Sequence, residues 1–181
     1  MKILAVDQAR NGAWSVFDYE KKKLLDYGVW SYPSEKCTFE QAVLQIEALL
    51  DGVIRKQGVD AVFLEDIQLR RNVQSFKRLA QLQGVLVNLC EKNEYLYGLV
   101  PPAQWQSFCK ARGRTSKEIK ANVTEIEAVK KTSKILSIQA AKNVYGIETE
   151  DDNLADSIML GHYCLHNISI TSEGVCEIKE Q

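Results

Sequence analysis

The sequence predicts an α/β fold: a five-stranded mixed sheet, three antiparallel strands then parallel crossovers, flanked by helices. Three observations predict it. Across the first 32 positions the apolar residues come in short, strand-like runs separated by turn residues. From Phe39 onward the apolar period lengthens to three to four residues. Two further short apolar runs, 60–65 and 95–100, then alternate with helical stretches.

Residues 2–8, KILAVDQ, are apolar, β-branched and end in polar groups, as a buried strand does. Asn11-Gly12 is a hairpin turn signal. The alternation AWSVFD at 13–18 predicts a second, antiparallel strand, Lys21 to Lys23 a turn, and LLDYGVWSY at 24–32 a third strand stopped by Pro33. Phe39, Val43, Ile46, Leu49, Leu50 and Ile54 form one helical face, and Gly58 ends that helix. DAVFLE at 60–65 follows a crossover helix, which implies a strand parallel to the first. Residues 72–92 are helical, with Gly84 in mid-helix at a cost of about 1 kcal/mol against alanine. Close packing, on the sheet or on another subunit, is the use expected for it. Residues 95–100 are a fifth strand ended by Pro101-Pro102, and 103–110 a short helix. Residues 112–115 read as a loop, 117–145 as weakly amphipathic helix, 150–165 as a strongly amphipathic one, and 167–179 as a tail with strand character. The order βββ-α-β-α-β-α is the ribonuclease H-like arrangement.

A length of 181 residues suits one domain, 1–181, with a basic insert at 110–134 and a C-terminal tail at 167–181. With 45% hydrophobic and 26% charged residues, the composition argues against disorder. No apolar run approaches the roughly 18 residues of a membrane helix. The opening MKILAVDQA has a four-residue apolar stretch cut short by Asp7, which predicts no signal peptide, no membrane association and a cytoplasmic protein. The five cysteines, at 37, 90, 109, 164 and 176, form no CxxC pair, so reduced thiols are expected and a cysteine zinc site is excluded. His162-x-x-x-His166 stands without an HExxH context and predicts no zinc pair.

Charge is unevenly distributed. From Lys110 to Lys134 eight Lys/Arg stand against three Glu, while from Gly146 to Gln181 one Lys stands against eight Asp/Glu. The acids that matter most end the predicted parallel strands: Asp7 the first and Glu65 the fourth. Ligand sites of such sheets lie at the carboxyl ends of adjacent strands. Two carboxylates placed side by side repel, and a divalent cation is the usual neutraliser. The final helix adds Asp152 and Asp156, four apart on one face, with the small Ala155 allowing close approach to the sheet. Glu150 and Asp151 are explained by the preference of helix N-termini for acids, whereas Asp156 lies too deep in the helix for that. Oxygen ligands from three separated segments suit Mg²⁺ or Mn²⁺, two per active site, as in metal-assisted phosphoryl transfer.

ILAVDQARNGAWSVFD, VFLEDIQ, NVQSFKRLAQLQGVL, VPPAQW and DDNLADSIMLGHY stand in the order found in the RuvC family, and the chain most resembles the Holliday junction resolvases of phages and prophages of Gram-positive bacteria. The resemblance spans roughly residues 2–166. It implies a homodimeric, metal-dependent endonuclease that nicks branched DNA symmetrically, with Asp7, Glu65 and Asp156 in metal-ligand positions and no small-molecule cofactor. The family's other acid falls three residues before the last; here Asn153 holds that place and Asp152 precedes it. Either Asp152 completes the set or Asn153 does so through its amide oxygen, and Asp152 is preferred. Arg70, Arg71, Lys77 and Arg78 follow the Glu65 strand, and Lys110, Arg112, Arg114, Lys117 and Lys120 follow the fifth strand; both clusters suit phosphate neutralisation. Phe76, Trp14, Trp30 and Trp105 are expected to pack in the core. Competing expectations are a structured-RNA nuclease of the same fold and a non-catalytic nucleic-acid-binding subunit. An actin-like ATP-binding fold would need a second half and glycine-rich phosphate loops.

Overall fold

The computed structural model describes residues 1–69, 72–111, 133–170 and 176–178. Five strands, β1 (Lys2–Asp7), β2 (Asn11–Asp18), β3 (Lys23–Ser31), β4 (Ala61–Glu65) and β5 (Leu96–Val100), form one sheet in the order β3-β2-β1-β4-β5. β1, β2 and β3 are antiparallel neighbours, and β4 runs parallel to both β1 and β5. The predicted mixed sheet is therefore the observed one. The start of β4 is pinned to β1 by a reciprocal pair, Lys2 N–H to Asp60 Oδ2 at 2.7 Å and Asp60 N–H to the Lys2 carbonyl at 2.9 Å.

Alternation along the strands loads both faces. Leu4, Val6, Val16, Val62 and Leu64 pack beneath α1 (Phe39–Gln57) and α2 (Val73–Lys92). Ile3, Ala5, Ala13, Phe17 and Phe63 pack beneath α3 (Pro102–Phe108), α4 (Ser133–Tyr145) and α5 (Asp152–Asn167). A capping box starts α1, with Thr38 accepting from the Gln41 N–H and the Gln41 side chain accepting from the Thr38 N–H, and Gly58 ends it in the left-handed region at φ 63°. Asn72 caps α2, and Asp151 caps α5 by accepting from the N–H groups of Asn153 and Leu154. The tail forms an antiparallel pair, β6 (Ile168–Ile170) with β7 (Cys176–Ile178). Among the described residues no helix is long and apolar enough to cross a membrane.

Some details differ from expectation. Asn11 and Gly12 belong to β2, and the β1–β2 loop is residues 8–10. Asn11 Oδ1 accepts from Ser31 Oγ at 2.9 Å and from the Tyr32 N–H at 3.2 Å, which draws the strand start forward. At position 12 a side chain would collide with the Asp7 carbonyl and the Trp30 ring, so this glycine serves close approach rather than the turn. Gly84 is exposed, with no atom within 4 Å of where a Cβ would stand, so it does not pack on the sheet. The expected loop at 112–115 and the first part of the helical stretch 117–145 lie outside the described residues; α4 is its end. Cys37, Cys90, Cys109 and Cys164 are free thiols.

Candidate active site

The parallel pair β1–β4 determines where the acids go. Asp7 continues the register of Ile3 and Ala5, and Glu65 that of Ala61 and Phe63, so both lie in register with the residues that pack beneath α5. They end neighbouring strands and open onto one cleft of about 360 Å³. Its walls also include Gln8 and Ala9 from the β1–β2 loop, Asp66 after β4, and Asn72, Ser75, Phe76 and Leu79 from the start of α2. Phe76, expected in the core, is half-buried in this wall.

α5 lies across the sheet with its N-terminal end at the same edge. Ser15 Oγ donates to the Ser157 carbonyl at 2.8 Å, and Gly161 sits so close over Phe17 that a Cβ would overlap the ring. Since Phe17 pairs with Ile3, Ser15 with Ala5 and Ala13 with Asp7, each helical turn toward the N-terminus advances two residues toward Asp7. The stripe through Gly161 and Ser157 continues to Asn153, and Asp156 flanks Ser157. Asp152 and Asp156 are both half-buried. Neither is among the residues that line the cleft, and among the described residues no three His, Cys, Asp or Glu side chains are gathered into a metal-binding group.

Two contacts orient Glu65. Its Oε1 accepts from the Trp105 indole N–H at 2.9 Å, and its main-chain carbonyl accepts from Gln8 Nε2 at 2.9 Å. Trp105 is 1% exposed, so the expected packing anchor also holds a site carboxylate. Asp66 is held by its N–H on the Val100 carbonyl and by Gln83 Nε2 at 3.5 Å from Oδ1. Gln83 is itself buried, which carries its amide to Asp66. Gln8, Asp66 and Trp105 carried only weak signals: Gln8 and Asp66 adjoin the predicted acids, and Trp105 follows a proline pair.

Of the predicted basic residues, Lys77, Arg78 and Lys110 are exposed, with the Arg78 guanidinium 5.8 Å from the Phe39 ring centre. Arg70, Arg71, Arg112, Arg114, Lys117 and Lys120 lie outside the described residues. Arg10, which stands in no basic cluster of the sequence, donates to the Tyr32 and Cys37 carbonyls and shares a second polar cleft with Arg78.

No family model matches the chain. Over 146 residues, 78% of this chain and 90% of the relative, it is 26% identical to the crossover junction endodeoxyribonuclease RuvC of Sulfurovum sp. (strain NBC37-1). Among solved structures it is similar to Thermus thermophilus RuvC, with a TM-score of 0.67 at 15% identity over 92% of this chain and 95% of that one. It is also similar to T. thermophilus RuvC in complex with a Holliday junction substrate, with a TM-score of 0.66 at 14% identity, covering 92% and 94% of the two chains. Fowlpox virus resolvase, in a complex with Holliday junction DNA, matches at a TM-score of 0.55 and 15% identity over 91% of this chain and 97% of that one. The fold is thus ribonuclease H-like, as in the RuvC structures.

Proposed function

We propose that this chain is a metal-dependent endonuclease of the RuvC type, a crossover junction endodeoxyribonuclease that resolves four-way DNA junctions by symmetric phosphodiester hydrolysis. The observation that carries this reading is the convergence of Asp7 and Glu65 from adjacent parallel strands on one cleft. The curated relative of 26% identity, matched over 90% of its length, supports the substrate class. The ordered segments of the sequence support assignment to the phage and prophage type.

The residues fit a divalent cation. Asp7, Glu65 and Asp66 offer hard oxygen donors, and a buried amide oxygen of Gln8 in the same cleft lacks a hydrogen-bond partner among the described residues. Mg²⁺ or Mn²⁺, two per site, would be held by Asp7, Glu65, Asp152 and Asp156. When bound, such ions make water a nucleophile at neutral pH and stabilise the leaving oxygen. The chain's own part is positional. Trp105 fixes the rotamer of Glu65, Gln8 ties the Glu65 main chain to the β1–β2 loop, and α5 would bring Asp152 and Asp156 to the same edge. Arg70, Arg71, Lys77, Arg78, Lys110, Arg112, Arg114, Lys117 and Lys120 would neutralise backbone phosphates, which makes binding salt-dependent. Paired nicks require two sites, and hence a homodimer.

The test is nicking of a synthetic four-way junction in Mg²⁺, with linear duplex and an RNA hairpin as controls. Junction-selective paired cuts are expected from the wild type. Asp7→Asn should abolish them while binding the junction as well or more tightly, because it removes a ligand and some repulsion of phosphate. Wild-type cutting by Asp7→Asn would refute the site, and preference for the RNA hairpin would refute the substrate.

A further inference from the structure

We infer that Gln8 is a positioning residue of the acid cleft, whose side-chain oxygen accepts a hydrogen bond from the hydration water of a divalent cation held by Asp7 and Glu65. The inference rests on the acid site proposed above and adds a residue to it. Gln8 is 4% exposed although it sits in a loop and carries a primary amide. Its Nε2 donates to the Glu65 carbonyl at 2.9 Å. A carbonyl can only accept, so this bond fixes the amide's orientation and assigns the other terminus as oxygen. That oxygen is buried and has no hydrogen-bond partner among the described residues. Buried acceptors are nearly always satisfied, so an orphan at a cleft calls for an explanation.

The neighbouring side chains do not supply the donor. Asp7, Glu65 and Asp66 share the cleft, and as carboxylates they only accept. Two N–H groups near the acids are committed, Trp105 Nε1 to Glu65 and Gln83 Nε2 to Asp66. Among the described residues none donates to it, and water at the open cleft can supply the donor. Water among acceptors gives its two hydrogens to them and leaves its own lone pairs unmatched; a cation is what takes those lone pairs. A cation's hydration shell thus fits both the acids and the amide oxygen. Partners of this kind, one step beyond the ligands, typically tune metal affinity by 10–100-fold.

The experiment titrates Mn²⁺ into the full chain without DNA, following free Mn²⁺ by electron paramagnetic resonance, for wild type, Gln8→Met, Gln8→Glu and Asp7→Asn. Thermal unfolding in chelator checks that each variant is folded. Gln8→Met removes both the acceptor and the Nε2 clamp; Gln8→Glu keeps an acceptor and loses the clamp. We expect Gln8→Met to weaken Mn²⁺ binding by about tenfold or more, and Gln8→Glu to bind at least as tightly as wild type. Unchanged affinity in Gln8→Met overturns the inference. So does equal weakening in both variants, which would make the clamp the whole role. Should Gln8→Met fail to fold, the Gln8→Glu comparison decides, and weaker binding than wild type overturns the inference. A wild type that binds no Mn²⁺, or an Asp7→Asn variant that binds like wild type, refutes the acid site itself.

Discussion

At the scale of single residues, the site divides into acids that end apolar runs and partners that only folding brings to them. Asp7 and Glu65 were legible because each closes a short apolar run, and the crossover helix between the two runs makes them parallel neighbours. Gln8, Asp66 and Trp105 were not, because their roles depend on contacts between segments far apart in the chain, such as the 40-residue separation of Trp105 and Glu65. Trp105→Phe keeps an aromatic ring, smaller than the indole, and removes its N–H. It should leave the unfolding temperature within a few degrees of wild type and lower the nicking rate by about 10–100-fold, measured with and without saturating Mn²⁺. The fourth metal ligand is the other residue-scale question. The stripe from Gly161 through Ser157 leads to Asn153, but only Asp152 offers a full negative charge. Asp152→Asn should cost several hundred-fold in single-turnover cutting, within the 10²–10³ lost with one charge-stabilising group, and Asn153→Ala much less. The reverse ranking would move the ligand to Asn153.

At the scale of elements, the strand and helix order up to residue 102 was readable because those elements carry their own period and most have a stop signal. What escaped was local: Asn11-Gly12 reads as a turn, yet side-chain bonds from Asn11 to Ser31 and Tyr32 place it in β2. α5 packs closely on β2, where Gly161 meets the Phe17 ring. Gly161→Ala should destabilise by about 1–3 kcal/mol through overpacking, seen as a lower denaturant midpoint with unchanged slope. α5 also carries a titratable cluster. His162 Nδ1 lies 2.9 Å from the Tyr145 hydroxyl, and the His166 ring centre is 4.7 Å away. Burial, with His166 nearby, holds His162 down at about 4. Burial, then Lys22, also lowers His166. A lowered histidine contributes stability that is complete above its unfolded value of about 6.5 and is lost as pH falls toward the folded value. Thermal unfolding between pH 7.5 and 4.5 should therefore show a falling midpoint, and His162→Phe a shallower fall. One proton bounds the difference at about 1.4 kcal/mol per pH unit, and solvent around the half-buried ring reduces it.

At the scale of the whole molecule, the sheet order and both cores followed from periodicity, while the surface that joins two copies does not announce itself in any period. The proposed homodimer places its contact on α2, the helix whose first turns wall the acid cleft. Gly84 sharpens that proposal. A mid-helix glycine costs about 1 kcal/mol, and here no neighbour among the described residues requires it, since an added Cβ would meet none of them within 4 Å. Packing on the sheet therefore does not account for its presence. Gln83 faces inward to Asp66, so the contact would use Gly84 with exposed neighbours such as Gln81 and Asn88. A smooth spot lets two helix backbones approach closely, and a two-fold contact would use it on both subunits. Gly84→Leu should accordingly raise or preserve the protomer's intrinsic helix stability while blocking the contact. Sedimentation should find a folded monomer, and junction assays weaker binding with uncoordinated single nicks in place of paired cuts. A variant that stays dimeric and cuts in pairs would move the interface off this part of α2. One that unfolds would mean that the protomer needs the partner's surface to keep its own fold.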